Sequence, residues 1–453
     1  MKINRTKIPS SDIPRPFDIP NINSFNLSNG LPVFFTQKSK LPIVKISLIV
    51  PAGSRYDGYG NEGLSYLTSL VIDEGAGNYN ALQLADEIDK LGSSIDVSTS
   101  VDHIFITMSS LSENYKRTLE LLSLIFKSPL FAKDNYSRER KKHLTRILQS
   151  FDSPEYIAAN AFQKNIFKNS PYDKPVLGYE KSVEHLKLQQ IKDFYNRFVL
   201  SNGVKIVAIG DVQKEELLLQ LEYLFSDLSI KTKRNTNELH LAKLDSKLYF
   251  INKEDSAQSE IIAGHICKER NAEDHLAAKV ANSILGGQFT SRLNLNLRET
   301  KGYTYGAHSA ISYNKQAGYF NISTSVQSEF TFNSIREISK EVDGIRIHIS
   351  DEELSFAKSS LIKQFPLMFE TYSQILQRVT TKVIFDLEDY YDHYIQNIWE
   401  LSKNEILQAA NEYFNPTNLS FFVVGNKNEI FDDLKRINDL ELIELDKLGN
   451  LIN

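Results

Sequence analysis

The sequence predicts two homologous α+β domains, each a mostly antiparallel sheet with helices packed on one face. Three observations lead there. At 453 residues the chain is longer than one hydrophobic core ordinarily organises. Runs with strand periodicity alternate irregularly with runs of helical periodicity, a pattern that favours mixed or antiparallel sheet over a doubly wound parallel one. The chain also echoes itself: IKDFYNRFVLSNGVKIVAIGD, ending at Asp211, recurs in kind as ILQAANEYFNPTNLSFFVVGN, ending at Asn426.

Residues 1–25 read as an extended arm, because Pro9, Pro14, Pro16 and Pro20 oppose helix and bias their predecessors to β or polyproline geometry. Val33–Gln37 and Val44–Val50 read as paired strands, followed by a Gly-rich turn and a helix from about Glu62 to Glu74. In Ala81–Leu91 the residues Leu84, Ile88 and Leu91 share one helical face, and Gly92 supplies a C-cap. Ile95–Leu111 alternates with period two. Ser112 opens a helix whose Leu119, Leu122 and Phe126 share a side before Pro129 stops it.

The helix end at Leu91–Gly92 before a β run has its counterpart at Lys301–Gly302 before Tyr303–Ser312, at nearly the offset of the longer echo. Charge density rises and strand patterning lapses around KTKRNTNELH. The expected organisation is an arm over 1–25, a first domain over 26–228, a linker over 229–245 and a second domain over 246–453.

Composition narrows the function classes. Hydrophobic residues at 41% and charged residues at 24% fit a globular protein that buries enough apolar surface to offset chain entropy. The net charge of -5 is spread without a basic block, which argues against nucleic acid or an anionic membrane as partner. No run approaches the ~20 apolar residues of a membrane span. The polar N-terminus has no signal core, so a cytoplasmic site is the default expectation, with a periplasmic one if an export signal was removed. Cys267 is alone, which excludes an internal disulfide and any multi-cysteine metal site.

VPAGSRYDGYGNEGLSYLTSLVIDEGAGNYNALQLADEIDKLGSSID resembles the first-domain signature of the insulinase/pitrilysin and mitochondrial-processing-peptidase superfamily, and ILGGQFTSRLNLNLRETKGYTYGAHS resembles its second-domain signature. Active members carry an inverted zinc motif, HxxEH, on a helix: two imidazoles on one face bind the metal, and the glutamate activates water. Aligned through Gly63, the histidine positions fall on Tyr66 and Leu70 and the glutamate on Ser69. The further glutamate ligand falls on Arg146, whose cation would repel a divalent metal. The nine histidines, His103, His143, His185, His240, His265, His275, His308, His348 and His393, form no HxxEH, HExxH or close pair.

The second signature survives. In such families an arginine and a tyrosine seven residues apart bind the substrate backbone and stabilise the oxyanion of peptide hydrolysis, and Arg298 and Tyr305 match them. Tyr303 is a rival that the spacing disfavours. Gly286 and Gly287 belong to the same signature and read equally as substrate-facing residues or as a helix C-cap.

The resemblance implies no metal in this chain and a non-catalytic subunit of a heterodimeric zinc endopeptidase. Its zinc-bearing homologous partner would receive Arg298 and Tyr305, and unfolded peptides would be the substrates. A purely structural or peptide-holding scaffold, comparable to the core subunits of this superfamily in respiratory complexes and here a homodimer, is the alternative. A hydrolase built on Ser69, or on Cys267 with His265, ranks last because no nucleophile motif surrounds either.

Overall fold

The computed structural model describes residues 17–201, 203–228, 239, 241 and 245–452. Most of the expected linker, and residues 1–16 of the expected arm, lie outside the described residues.

Two six-stranded sheets share one strand order. The first contains β1 (Asn23–Asn26), β2 (Pro32–Gln37), β3 (Ile43–Val50), β4 (Ser94–Thr99), β5 (Ile104–Leu111) and β6 (Lys205–Gly210), arranged β1-β2-β6-β3-β5-β4. The second contains β7 (Lys247–Asn252), β8 (Gln258–Cys267), β9 (Thr304–Asn314), β10 (Ala317–Gln327), β11 (Ser420–Gly425) and β12 (Glu441–Leu445), arranged β12-β7-β11-β8-β10-β9. Each has one matching parallel pair, β2 with β6 and β7 with β11, and matching antiparallel pairs beyond it. Only the outer edge differs: β1 joins β2 antiparallel, whereas β12 joins β7 parallel. The self-similar runs end in β6 and β11, which hold the same place in their sheets.

Adjacency in sequence misleads at one point. β2 and β3 do not pair with each other, because β6 lies between them, with Val33 opposite Ile206 and Val44 opposite Gly210. Lys205–Gly210 is almost wholly buried, as a central strand requires, and its continuous apolar run is the mark of burial on both faces. The alternating run over Ile95–Leu111 is a hairpin of β4 and β5. The helices begin later than their first polar signals suggest, at Leu64–Val71 and Tyr115–Lys127, while Ala81–Lys90 starts behind an Asn80–Gln83 capping box.

Helices cover both faces of the sheets, and the second cover is exchanged between repeats. In the first sheet Val44, Ile46, Leu48 and Ile206 face a core shared with helices of their own repeat, such as Leu64–Val71 and Tyr115–Lys127. Ile49, Val207 and Ile209 face the opposite way, into a core with Tyr372, Ile375, Val379 and Val383 of the second repeat. Reciprocally, Ile157, Ala161 and Phe162 of helix Pro154–Ile166 pack on Ile251, Ile262, Phe422 and Val424 of the second sheet. Without this exchange each sheet would expose an apolar face to water.

A buried polar knot joins the repeats. Asp102, in the β4–β5 turn, accepts from Arg55 Nη1 at 2.9 Å and Tyr172 Oη at 3.0 Å through one oxygen, and from the Lys315 main-chain N–H at 2.8 Å through the other. Arg55 also donates to Tyr172 Oη at 2.8 Å and to Gln316 in the β9–β10 turn. Among the described residues no helix is long and apolar enough to cross a membrane.

Candidate functional site

Helix Leu64–Val71 starts at Gly63, whose N–H and that of Ser65 both donate to Asp57 at 2.8 Å. Gly63 has φ +94°, and a Cβ there would lie 2.6 Å from the Leu177 carbonyl oxygen, so the entry to the helix admits no side chain. This fixes which residues face the neighbouring helix Lys133–Ser150. The Tyr66 ring packs tilted against the His143 ring, with centroids 4.8 Å apart, and the Arg146 guanidinium lies 5.7 Å from the Tyr66 ring centroid.

The fold thus brings Tyr66 and Arg146 together from two helices far apart in sequence. Ser69 turns its hydroxyl back to the Tyr66 carbonyl at 2.7 Å, and Leu70 packs half-buried against the first core. A phenol, a hydroxyl, an isobutyl group and a guanidinium do not fit a divalent cation. His143 does not substitute: Nε2 is held 2.7 Å from the Leu177 carbonyl, and its neighbours Tyr66 and Arg146 bring no second metal ligand. Among the described residues no group of three or more His, Cys, Asp or Glu is arranged to hold a metal.

The second repeat presents its signature differently. Helix His275–Leu285 ends at Gly286, whose carbonyl accepts from the Ser309 N–H of β9 at 3.0 Å. A Cβ on Gly286 would meet Ser309 N at 2.6 Å, so close passage of a strand accounts for this glycine. Gly287 is exposed beside it. Asn282 and Ser309 exchange two further hydrogen bonds, and buried Asn294 joins the Phe289 carbonyl to the Ala307 N–H. Arg292 forks onto Glu353 at 2.6 and 2.9 Å; against the upward push of burial, this fork and Ser350 hold that carboxyl down to about 2.

On this anchored base, Leu295–Thr300 widens into a π-helical turn carrying Arg298, a geometry often found at functional sites. The Arg298 guanidinium lies 4.5 Å from the Phe289 ring centroid and 3.4 Å from a Glu299 oxygen, and its side chain remains 37% exposed. Tyr305 follows at the irregular start of edge strand β9 and is 90% exposed. Among the described residues its hydroxyl has no hydrogen-bond partner. Tyr303 is consumed by packing, stacked 4.4 Å from Phe330, so Tyr305 is the tyrosine available to a ligand.

The nucleophile reading fails on geometry. Burial pushes the Cys267 thiol well up, and the Asn415 N–H donates to His265 Nε2, leaving Nδ1 to the Ile266 carbonyl. Neither group is free to act as a thiolate–imidazole pair. Sequence reading missed the Arg55–Asp102–Tyr172 knot and the Asn282, Asn294 and Arg292 anchors, because each joins residues whose distance in sequence hides their contact.

Residues 33–180 match the family model described as Insulinase (Peptidase family M16), and residues 185–361 match the one described as Peptidase M16 inactive domain. The chain belongs to peptidase family M16. It is 26% identical over 414 residues to an uncharacterized zinc protease of Rickettsia bellii, spanning 90% of this chain and 98% of that one. It is 25% identical over 405 residues to the non-peptidase homolog YmxG of Helicobacter pylori, spanning 88% and 93%. Among solved structures, a protease from Helicobacter pylori superposes with TM-score 0.83 at 18% identity over 90% of this chain and 100% of that one. A peptidase M16 inactive domain from Pseudomonas fluorescens gives TM-score 0.82 at 21% identity, over 90% and 98%.

Proposed function

We propose that this chain is the non-catalytic, substrate-binding subunit of a heterodimeric zinc endopeptidase, and that it lends Arg298 and Tyr305 to the partner's zinc site. The observation that carries the reading is an asymmetry: the metal positions of the first repeat hold Tyr66, Ser69, Leu70 and Arg146, while Tyr305 stands 90% exposed on a rigid base. A scaffold has no need for an oxyanion donor, the role this pair would fill. In the complex, Arg298 would fork onto peptide carbonyl oxygens and Tyr305 would donate to the oxygen on which charge develops. The substrate, an unfolded peptide, would add as an extended strand at a sheet edge, with β9 beside Tyr305 the natural one, so that main-chain bonds tolerate varied sequences.

The test is to purify the chain alone and together with a zinc-bearing M16 homologue, measuring bound zinc and cleavage of a quenched peptide. Alone, it should carry no stoichiometric zinc and cleave nothing; together, the pair should cleave. Zinc-dependent cleavage by the isolated chain would overturn the reading, and an inactive pair that still associates would favour the scaffold.

A further inference from the structure

The second repeat gathers three cations where no acid meets them. Tyr390, Tyr391 and Tyr394 cluster with Tyr390 in contact with both others, at 5.0 and 5.8 Å between ring centroids. Each tyrosine receives one cation. The Arg270 guanidinium lies 4.3 Å from the Tyr390 centroid, Lys279 Nζ lies 4.9 Å from that of Tyr394, and Arg378 stands beside Tyr391. Arg270 also reaches Tyr313, whose hydroxyl is 2.7 Å from His275 Nδ1.

Among the described residues none of these cations forms an ion pair. Asp274 is taken by Lys268 and Tyr413, and Asp389 and Asp392 are exposed. Two polar atoms at the cluster, Arg378 Nε and Tyr394 Oη, are buried without a hydrogen-bond partner among the described residues, and Tyr394 is 1% exposed. The first repeat shows what is missing. Arg55, likewise placed after its strand and over a tyrosine, has the Asp102 carboxylate. In the second repeat the corresponding turn offers Lys315 and Gln316, and two cations are added instead.

We propose that Arg270, Lys279 and Arg378, with the hydroxyls of the tyrosine cluster, form a binding site for a small tetrahedral oxyanion such as inorganic phosphate. Three converging cations in a partly desolvated site repel one another unless a multivalent anion joins them, and guanidinium forks suit a phosphate's oxygens. Arg270 is buried while Lys279 and Arg378 are partly exposed, so the anion enters from their side. Burial, Arg270 and Arg378 together pull Lys279 down to about 8, so without an anion it begins to lose its proton just above neutrality.

The test uses the full chain with sodium phosphate against sodium chloride at matched ionic strength, read by calorimetric titration and melting temperature. Phosphate should bind saturably and raise the melting temperature, and binding should weaken above pH 8 as Lys279 deprotonates. Arg378→Gln and Lys279→Met should each weaken binding by about tenfold or more, the scale of one charge-assisted hydrogen bond. In chloride, Lys279→Met should melt no lower than the parent, since it removes a charge repelled by Arg270 and Arg378, and in phosphate the order should reverse. Phosphate that acts no differently from chloride, or equal binding in both variants, would overturn the site. Neither result depends on peptidase activity.

Discussion

Helix Leu64–Val71 and the segment Leu295–Tyr305 carry the two signatures read from the sequence, and they are built to opposite ends. In the first, Tyr66 packs against His143 and beside Arg146, and Ser69 bonds its own helix. In the second, Asn282, Asn294 and Arg292 tie down the base while Tyr305 is left to solvent and Arg298 is partly exposed between Phe289 and Glu299. Polar groups spent on internal bonds make a region structural, whereas the Tyr305 phenol is left in solvent and Arg298 keeps only Phe289 and Glu299 beside it.

That contrast can be broken most severely at the knot that fixes the repeats against each other. Asp102→Ala strands Arg55 and the Lys315 N–H in a buried setting and should cost about 3–5 kcal/mol, read by chemical denaturation. A loss below about 1 kcal/mol would mean the knot is solvated and does not fix the repeats. Acidification should distinguish the first region next. His143, neutral in the fold down to about pH 4, contributes stability above its unfolded pKa of about 6.5. As pH falls through that window the unfolded chain gains a proton the fold refuses, at up to about 1.4 kcal/mol per pH unit. His143→Gln should flatten that slope, and an unchanged slope would assign it elsewhere.

In the second region Gly286→Ala should cost about 1–3 kcal/mol, because its new methyl meets Ser309 at under 3 Å. Tyr305→Phe should shift stability by less than about 0.5 kcal/mol, as expected for an exposed side chain without partners. A larger loss from Tyr305→Phe would give that hydroxyl a structural bond and weaken its role as a waiting donor.

Much of this was legible in the sequence, and the exceptions share a cause. The echo of Lys205–Gly210 in Ser420–Gly425 marked the duplication, because central strands keep their apolar run whatever surrounds them. The placement of β6 between β2 and β3 was not legible, since local pattern cannot state which strand is a neighbour. Nor was the exchange of helices Pro154–Ile166 and Tyr372–Phe385 between repeats; each shows an apolar face but not whose sheet it covers. At the site, spacing favoured Tyr305 over Tyr303, and in the structure Tyr303 is stacked on Phe330 while Tyr305 is exposed. The anchors beneath Arg298 stayed hidden because asparagine, serine and arginine carry no periodic signal.

The central claim is that the second region, and not the first, takes part in hydrolysis when a zinc-bearing partner is present. The most direct measurement is the turnover of the assembled pair carrying Arg298→Ala, Tyr305→Phe or Ser69→Ala in this chain, with association confirmed for each. The account predicts a fall of roughly 10²–10³-fold for each of the first two, the scale of one lost oxyanion donor, and no change for Ser69→Ala. Full turnover with Arg298→Ala and Tyr305→Phe would contradict it.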